Sequence, residues 1–344
     1  MKKKNKVLIT GVTGQIGSYL ADLCLEKGMK VFGMARRCSQ PRMDNLHIAS
    51  GFSNFKIVEG DLQDQGSLDR LVRRIGPDFV VNCAAQSFVA ESWNTPVLTG
   101  DITGLGVVRV LEAIRVHAPR CIFVQMSSSE MFGDVVEEPQ NEQTPFNIRS
   151  PYGAAKLYAH WITSNYRDSY GIKARCAICF NNESSRRGIE FVTQKIVTHL
   201  AEVGFGKRKI VQLGNMDAKR DWTHTQDIVR ALYLIMTAEK NDTYVVGSGE
   251  HHTVKEFFTL AHKHVKKELA PYAALFEKKF SMPPAGDCFE VCEKFFRPAD
   301  VNTLLADPSK IRKRLGWKPE ITFEGMIAEM AFGAVNKVFS RLYE

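Results

Sequence analysis

The chain opens on a strand-like run, KVLITG (6–11), that passes directly into GVTGQIGSYL and places Gly11, Gly14 and Gly17 in a G-x-x-G-x-x-G pattern. No other feature narrows the fold so far. Glycines between a strand and a helix let backbone approach a pyrophosphate, and they aim the helix N-terminal amides at the anion. An amphipathic stretch follows, with Ile16, Leu20, Leu23 and Leu25 on one broad face. A glycine triplet alone is weak; between a strand and a helix at the start of a chain it reads as a dinucleotide-binding turn. Gly11, Thr13, Gly14, Gln15, Ile16 and Gly17 are expected to hold the cofactor.

The first half repeats this strand–helix unit. VFGMAR (31–36), FKIVEGDL (55–62), FVVNCAAQ (79–86), CIFVQMSSS (121–129) and ARCAICF (174–180) read as buried strands. Helical patterns at 68–75, 103–117 and 151–170 separate them. Such alternation predicts an α/β fold with a doubly wound, parallel sheet of Rossmann type. After about residue 181 the alternation weakens: helices are expected near 188–202, 225–239 and 254–269, short strands at 208–213 and 243–247, and irregular chain over 270–297. The expected organisation is a dinucleotide-binding domain over 1–180 and a smaller substrate-binding lobe over 181–344, with some segments returning to the main sheet.

Composition excludes several classes. At 344 residues and 44% hydrophobic, the chain can build a sizeable core and is not a disordered one. No apolar stretch approaches the ~18 residues a membrane span needs. The basic head MKKKNK precedes an apolar run too short for a secretion signal, interrupted by Gly11 and Gly14. A cytoplasmic enzyme is expected. The formal charge of +8 comes from basic residues spread along the chain, without a nucleic-acid-binding module. Diffuse positive charge suits an anionic small molecule. Cys176 and Cys179 have C-x-x-C spacing, but residues three apart on a strand face opposite ways, so free buried thiols are expected. His251 and His252 read as a loop pair, His262 and His264 as helix-surface residues, and no set has metal-ligand spacing.

The end of the second strand selects the cofactor. An acidic residue there would bind the ribose hydroxyls of NAD. Arg36 and Arg37 stand there instead, and two guanidiniums suit the 2′-phosphate of NADP. Asp61 and Leu62, after the third strand, are placed at the adenine; Ala84, Ala85 and Gln86, after the fourth, at the nicotinamide ribose.

SPYGAAKLYAHW carries Tyr152 and Lys156, a Y-x-x-x-K pair whose members share one helix face. The ammonium favours phenolate, which makes Tyr152 a candidate base. With the glycine turn, this pair resembles the extended, nucleotide-sugar-modifying branch of the short-chain dehydrogenase/reductase superfamily. The resemblance implies that Ser128, in MSSSEMFG, assists the tyrosine. Glu130, two residues on, discriminates between reactions. A 4-epimerase or 4-reductase needs hydride transfer and a proton relay. A 4,6-dehydratase must also remove the C5 proton and expel the C6 hydroxyl, which a carboxylate can do.

Longer stretches resemble GDP-mannose 4,6-dehydratases: TGQIGSYLAD, SPYGAAKLYAHWITSNYRDSYG, FNNESSRRGIEFVTQKI (180–196), LGNMDAKRDWTHTQDIVRAL (213–232) and FFRPADVNTLLADPSKIRKRLGWKP (295–319). The resemblance covers essentially the whole chain and is weakest over 38–56 and 267–294. It implies that Ser87, Asn181 and Glu183 face the substrate, that Asn182 and Arg187 lie near the cofactor, and that Lys195, Arg220 and Arg297 contact the nucleotide diphosphate. Trp222 is expected in the core, with Asp217 and Asp221 as partners of Lys219 and Arg220. It also implies a homodimer or homotetramer. Departures from the family pattern at Ile16, Phe88, Ser128, Asn182 and Ser185 leave GDP-manno-heptose as an alternative sugar to GDP-mannose. An NADP-dependent nucleotide-sugar 4-reductase or epimerase is the alternative activity.

Overall fold

The computed structural model describes residues 5–39, 43–275, 280, 282–296, 301 and 303–343. Arg297, expected at the diphosphate, lies outside them. Seven parallel strands form the central sheet: β1 (Lys6–Thr10), β2 (Lys30–Ala35), β3 (Phe55–Glu59), β4 (Phe79–Asn82), β5 (Ile122–Ser128), β6 (Lys173–Cys179) and β11 (Thr243–Val246). They lie side by side in the order β11-β6-β5-β4-β1-β2-β3. Between β6 and β11 in sequence come the short strands β7 (Asn181–Glu183), β8 (Val211–Leu213), β9 (Lys219–Arg220) and β10 (Trp222–His224); β12 (His252–Thr253), β13 (Phe289–Val291) and β14 (Thr303–Leu304) follow.

Period-two side-chain alternation divides the core into two layers. Val7, Ile9, Val81 and Val124 face one layer, and Leu8, Val80 and Phe123 face the other. The first layer is closed by helices α1 (Gln15–Glu26) and α8 (Thr225–Thr237); the second by α2 (Gln65–Ile75), α5 (Gly106–His117) and α6 (Pro151–Tyr170). Two short helices, α3 (Glu91–Asn94) and α4 (Pro96–Thr99), and a wide π-helical turn (Gly100–Leu105) lead into α5. A separate core lies among α7 (Val192–Gly204), α9 (Val254–Leu275) and α11 (Phe323–Tyr343), with Trp222 buried in it. The chain crosses between lobes more than once. β11 joins the main sheet beside β6, and the segment following α10 (Ser309–Leu315) buries Trp317 in the first layer.

Three local expectations change. The helix expected to end near 269 runs on to Leu275. His262 is buried rather than on a helix surface, because Nε2 meets the Pro283 carbonyl at 2.8 Å. Asp221 is fully buried and pairs with neither basic neighbour. Its oxygens instead accept from the amides of Ser248, Gly249 and Ala306 and from the Ser248 hydroxyl, which ties two loops to the chain just after β9. Cys176 and Cys179 are buried free thiols. Among the described residues no helix is long and apolar enough to cross a membrane.

Candidate active site

The C-terminal ends of the parallel strands converge on one cleft of about 500 Å³, the position such sheets reserve for ligands. Its floor is the glycine turn. Gly11 has φ of 65°, a left-handed conformation, and a Cβ on Gly17 would lie 2.3 Å from the Gly11 carbonyl oxygen. Only glycines let α1 begin this close to β1. Thr13, Gly14, Gln15 and Ile16 line the same floor.

Arg36, Asp61, Leu62, Ala84, Ala85, Gln86 and Ser87 stand along the cleft, each just past a strand end. Arg37 is exposed beside Arg36 but is not part of the lining. The Gln86 amide donates to Thr103 Oγ1 at 3.1 Å, so the π-helical turn fixes this loop. The Gln86 side-chain oxygen is buried and has no hydrogen-bond partner among the described residues. An orphaned acceptor in an elongated cleft, with a glycine cradle at one end, fits a dinucleotide.

Ser128 ends β5, and Ser150 caps α6 by accepting from the Gly153 amide at 3.0 Å. The cap starts α6 so that Tyr152 and Lys156 face the cleft with Ser128 and Glu130. The Ser128 hydroxyl lines the cleft with Tyr152 and accepts from the Glu130 amide at 3.3 Å. Lys156 Nζ donates to the Met126 carbonyl at 2.8 Å. Burial raises the phenol of Tyr152 well above its ordinary value, against a smaller lowering by Ser128 and by Arg187; Glu130 adds to the rise. Burial pulls Lys156 down to about 8. Lys156 is not what lowers the phenol here, contrary to the simple pairing argument; desolvation dominates both groups.

Beyond β6, Asn181, Asn182 and Arg187 line the cleft and Glu183 does not. Glu183 lies beneath the surface, accepting from Thr193 Oγ1 at 2.6 Å and paired with Arg187 Nε at 3.2 Å. It holds Arg187, whose guanidinium stacks on Phe191 at 3.4 Å. Lys195 and Arg220 also lie outside this lining. Lys195 Nζ sits 3.3 Å from the centre of the Phe295 ring. Its pKa is lowered by burial and by the nearby Lys294 and Arg208, a cluster of cations suited to an anion. Sequence reasoning missed Phe191, Cys83 and Cys179 in the lining; the two cysteines stand at the ends of β4 and β6, the place the parallel topology already marks. Among the described residues no cluster of His, Cys, Asp and Glu is placed to hold a metal ion.

The parallel sheet, the glycine turn and the Ser128–Tyr152–Lys156 set define an extended short-chain dehydrogenase/reductase. The fold is shared with a UDP-glucose 4-epimerase of Thermus thermophilus, solved as a complex with NAD, at 26% identity and a TM-score of 0.80 over 96% of this chain and 98% of that one. It is shared equally with DesIV, a dTDP-glucose 4,6-dehydratase of Streptomyces venezuelae, at 22% identity and a TM-score of 0.83 over 97% and 98%. The family model for GDP-mannose 4,6 dehydratase matches residues 8–330. GDP-mannose 4,6-dehydratase of Yersinia enterocolitica is 43% identical over 350 residues, 96% of this chain and 94% of that one; the human enzyme is 39% identical over 97% and 92%. The chain belongs to the GDP-mannose 4,6-dehydratase family. It is a nucleotide-sugar 4,6-dehydratase, a hydro-lyase of a family that uses NADP.

Proposed function

We propose that the protein converts GDP-mannose to its 4-keto-6-deoxy derivative with loss of water. The observation that carries this reading is Glu130, a carboxylate in the same cleft as Ser128, Tyr152 and Lys156, where hydride chemistry alone needs no carboxylate. Bound NADP supplies the hydride acceptor for C4 and the hydride donor for C6. Tyr152, oriented by Ser128, takes the proton of the C4 hydroxyl as its phenolate, the form that the positive charge of the oxidised nicotinamide, when bound, and of Lys156 one turn on would favour against burial. The resulting C4 ketone acidifies C5–H. Glu130 removes that proton, and the carboxyl so formed gives it to the departing C6 hydroxyl, which leaves as water. As hydride reaches C6, C5 takes up a proton from solvent, and Tyr152 returns its proton to solvent.

Gly11 to Gly17 would hold the pyrophosphate, Arg36 and Arg37 the 2′-phosphate, and Arg187 with Asn182 the nicotinamide end. Lys195, beside Lys294 and Arg208, serves the diphosphate of the sugar nucleotide. Incubation of the purified protein with GDP-mannose and, separately, GDP-manno-heptose, read by mass spectrometry, tests the reading. Loss of water from GDP-mannose supports it. Turnover of the heptose alone, or a product isomeric with the substrate, overturns it.

The assembly we infer is a homodimer or homotetramer. Ala154, Tyr158, Trp161 and Asn165 form an exposed stripe along α6 at helical spacing, with Tyr158 46% and Trp161 54% exposed. Val97 and Leu105, from the turns packed beside α6, are also exposed. An apolar face of this kind on a folded chain is what a second copy covers.

A further inference from the structure

The hydrogen bonds that fix one wall of the cleft continue into the C-terminal lobe. Glu329, on α11, accepts from Ser185 Oγ at 2.5 Å through one oxygen. Through the other it accepts from the Ser185 amide at 3.2 Å and from His224 Nε2 at 3.3 Å. His224 Nδ1 accepts from the Gln226 amide at 3.1 Å, which leaves Nε2 to carry the proton given to Glu329. The neighbouring Ser184 donates its hydroxyl to Gln15 Oε1 at 2.7 Å. Gln15 in turn donates to the carbonyl and side-chain oxygens of Asn182 at 3.0 and 3.1 Å.

Gln15 belongs to the glycine turn and lines the cleft. Thus a continuous run of bonds leads from α11 to the cofactor loop. Ser184, His224 and Gln15 are all buried, where such bonds are not exchanged for water. Arg186 anchors the same turn from the other side: it pairs with Asp22 of α1 at 2.8 Å, donates to Ser18 Oγ at 3.0 Å and lies 4.0 Å from the Tyr19 ring centre. Helix α11 also comes unusually near. A Cβ on Gly333, four residues beyond Glu329, would stand 2.8 Å from the Ser185 Cβ.

We propose that Glu329 is a positioning residue for cofactor retention, clamping the Ser184–Arg187 turn against the glycine loop from the opposite lobe. The proposal rests on the reading of the cleft as a dinucleotide site. A reaction that returns the hydride it removes gains nothing by releasing its cofactor between turnovers. A wall tied across both lobes slows that release without touching the reacting atoms. Arg187, at the end of the turn, lines the cleft, so the turn carries part of its wall.

Glu329→Ala, Glu329→Gln, Ser185→Ala and the Glu329→Ala/Ser185→Ala double variant test this. The readings are NADPH affinity and dissociation rate by fluorescence, KM for GDP-mannose, and Tm of the cofactor-free protein. Glu329→Ala should weaken NADPH by about tenfold, mostly through faster dissociation, as expected for loss of bonds to a charged group. The KM for GDP-mannose should change by less than about threefold, and Glu329→Gln should fall between parent and alanine. The double variant should be no weaker than Glu329→Ala, because the two residues act as a unit. NADPH affinity in Glu329→Ala within about twofold of the parent would overturn the proposal. So would equal losses for NADPH and GDP-mannose that follow a drop in Tm, since these mark packing alone. Should Glu329→Ala fail to fold, Glu329→Gln and Ser185→Ala carry the same comparison. Failure of the parent protein to bind NADPH would instead refute the cofactor reading beneath the proposal.

Discussion

Lys156 lies one helical turn beyond Tyr152, with Nζ 5.8 Å from the centre of the phenol ring and its hydrogen bond given to the Met126 carbonyl. The two groups are matched by position, yet burial penalises the charged form of each separately. Without the positive charge of a bound cofactor, burial disfavours the phenolate of Tyr152 and brings the ammonium of Lys156 down to about 8. The site is therefore built at a cost to the fold.

That cost has a sign. Folded Lys156 releases its proton near 8, whereas an ordinary lysine holds it to 10.5. Between these values the unfolded chain binds more protons, so this group makes stability rise with pH across that window. Below about 8 both states carry the charge, and the penalty of burying it is fully present. Lys156→Met should abolish activity and raise Tm at pH 7 by a few degrees. The gain should shrink as pH passes from 8 towards 10. Calorimetry across pH reads this; a Tm at pH 7 below the parent's would show that the bond to Met126 outweighs the desolvation.

Arg36 and Arg37 should select the phosphorylated cofactor. Both are exposed, and Arg36 is on the cleft lining. Arg36→Ala/Arg37→Ala should lose about tenfold or more in NADP affinity, the scale of two charge-assisted bonds, while NAD affinity changes little. A parent protein that prefers NAD in competitive titration would remove the basis for this assignment.

The stripe on α6 predicts an assembly. Trp161→Glu should convert a dimer or tetramer into a 38.7 kDa species in light scattering, because a carboxylate in an apolar interface goes unpaired. Observation of that mass for the parent at working concentration would refute the assembly itself.

Much of this was legible beforehand because the rules involved are local. The glycine turn, the period-two strands and the Y-x-x-x-K helix each depend on a few adjacent residues. What stayed hidden depends on contacts distant in sequence. Glu183 is the local exception: its partners Arg187 and Thr193 lie four and ten residues on, but no spacing rule says that the carboxylate is buried under them rather than turned to the substrate. Asp221, beside two cations, reads as their partner until the loops at Ser248 and Ala306 close on it. His262 has helical surface spacing and becomes buried only because Pro283 returns over it. Desolvation of Tyr152 and Lys156 is likewise a property of the folded cleft. Spacing can pair these two residues but cannot say that burial outweighs the pairing.

The chemical steps should separate by mutation. Tyr152 is needed to take the hydroxyl proton as C4 is oxidised, so Tyr152→Phe should block cofactor reduction altogether, seen as absence of the nicotinamide absorbance change. Glu130 acts later, on C5–H. Glu130→Gln preserves shape and removes the base, so oxidation at C4 can proceed while elimination falls by on the order of a hundredfold or more. Without an unsaturated C6 to receive it, the hydride stays on the cofactor, and reduced cofactor should accumulate in a single turnover. Solvent exchange gives an independent reading: in deuterated water Glu130→Gln should leave C5 unlabelled, whereas the parent product should carry at C5 a deuteron taken up from solvent as hydride is delivered to C6. Normal dehydration of GDP-mannose by Glu130→Gln would remove the carboxylate from the mechanism and return the reductase or epimerase reading to contention.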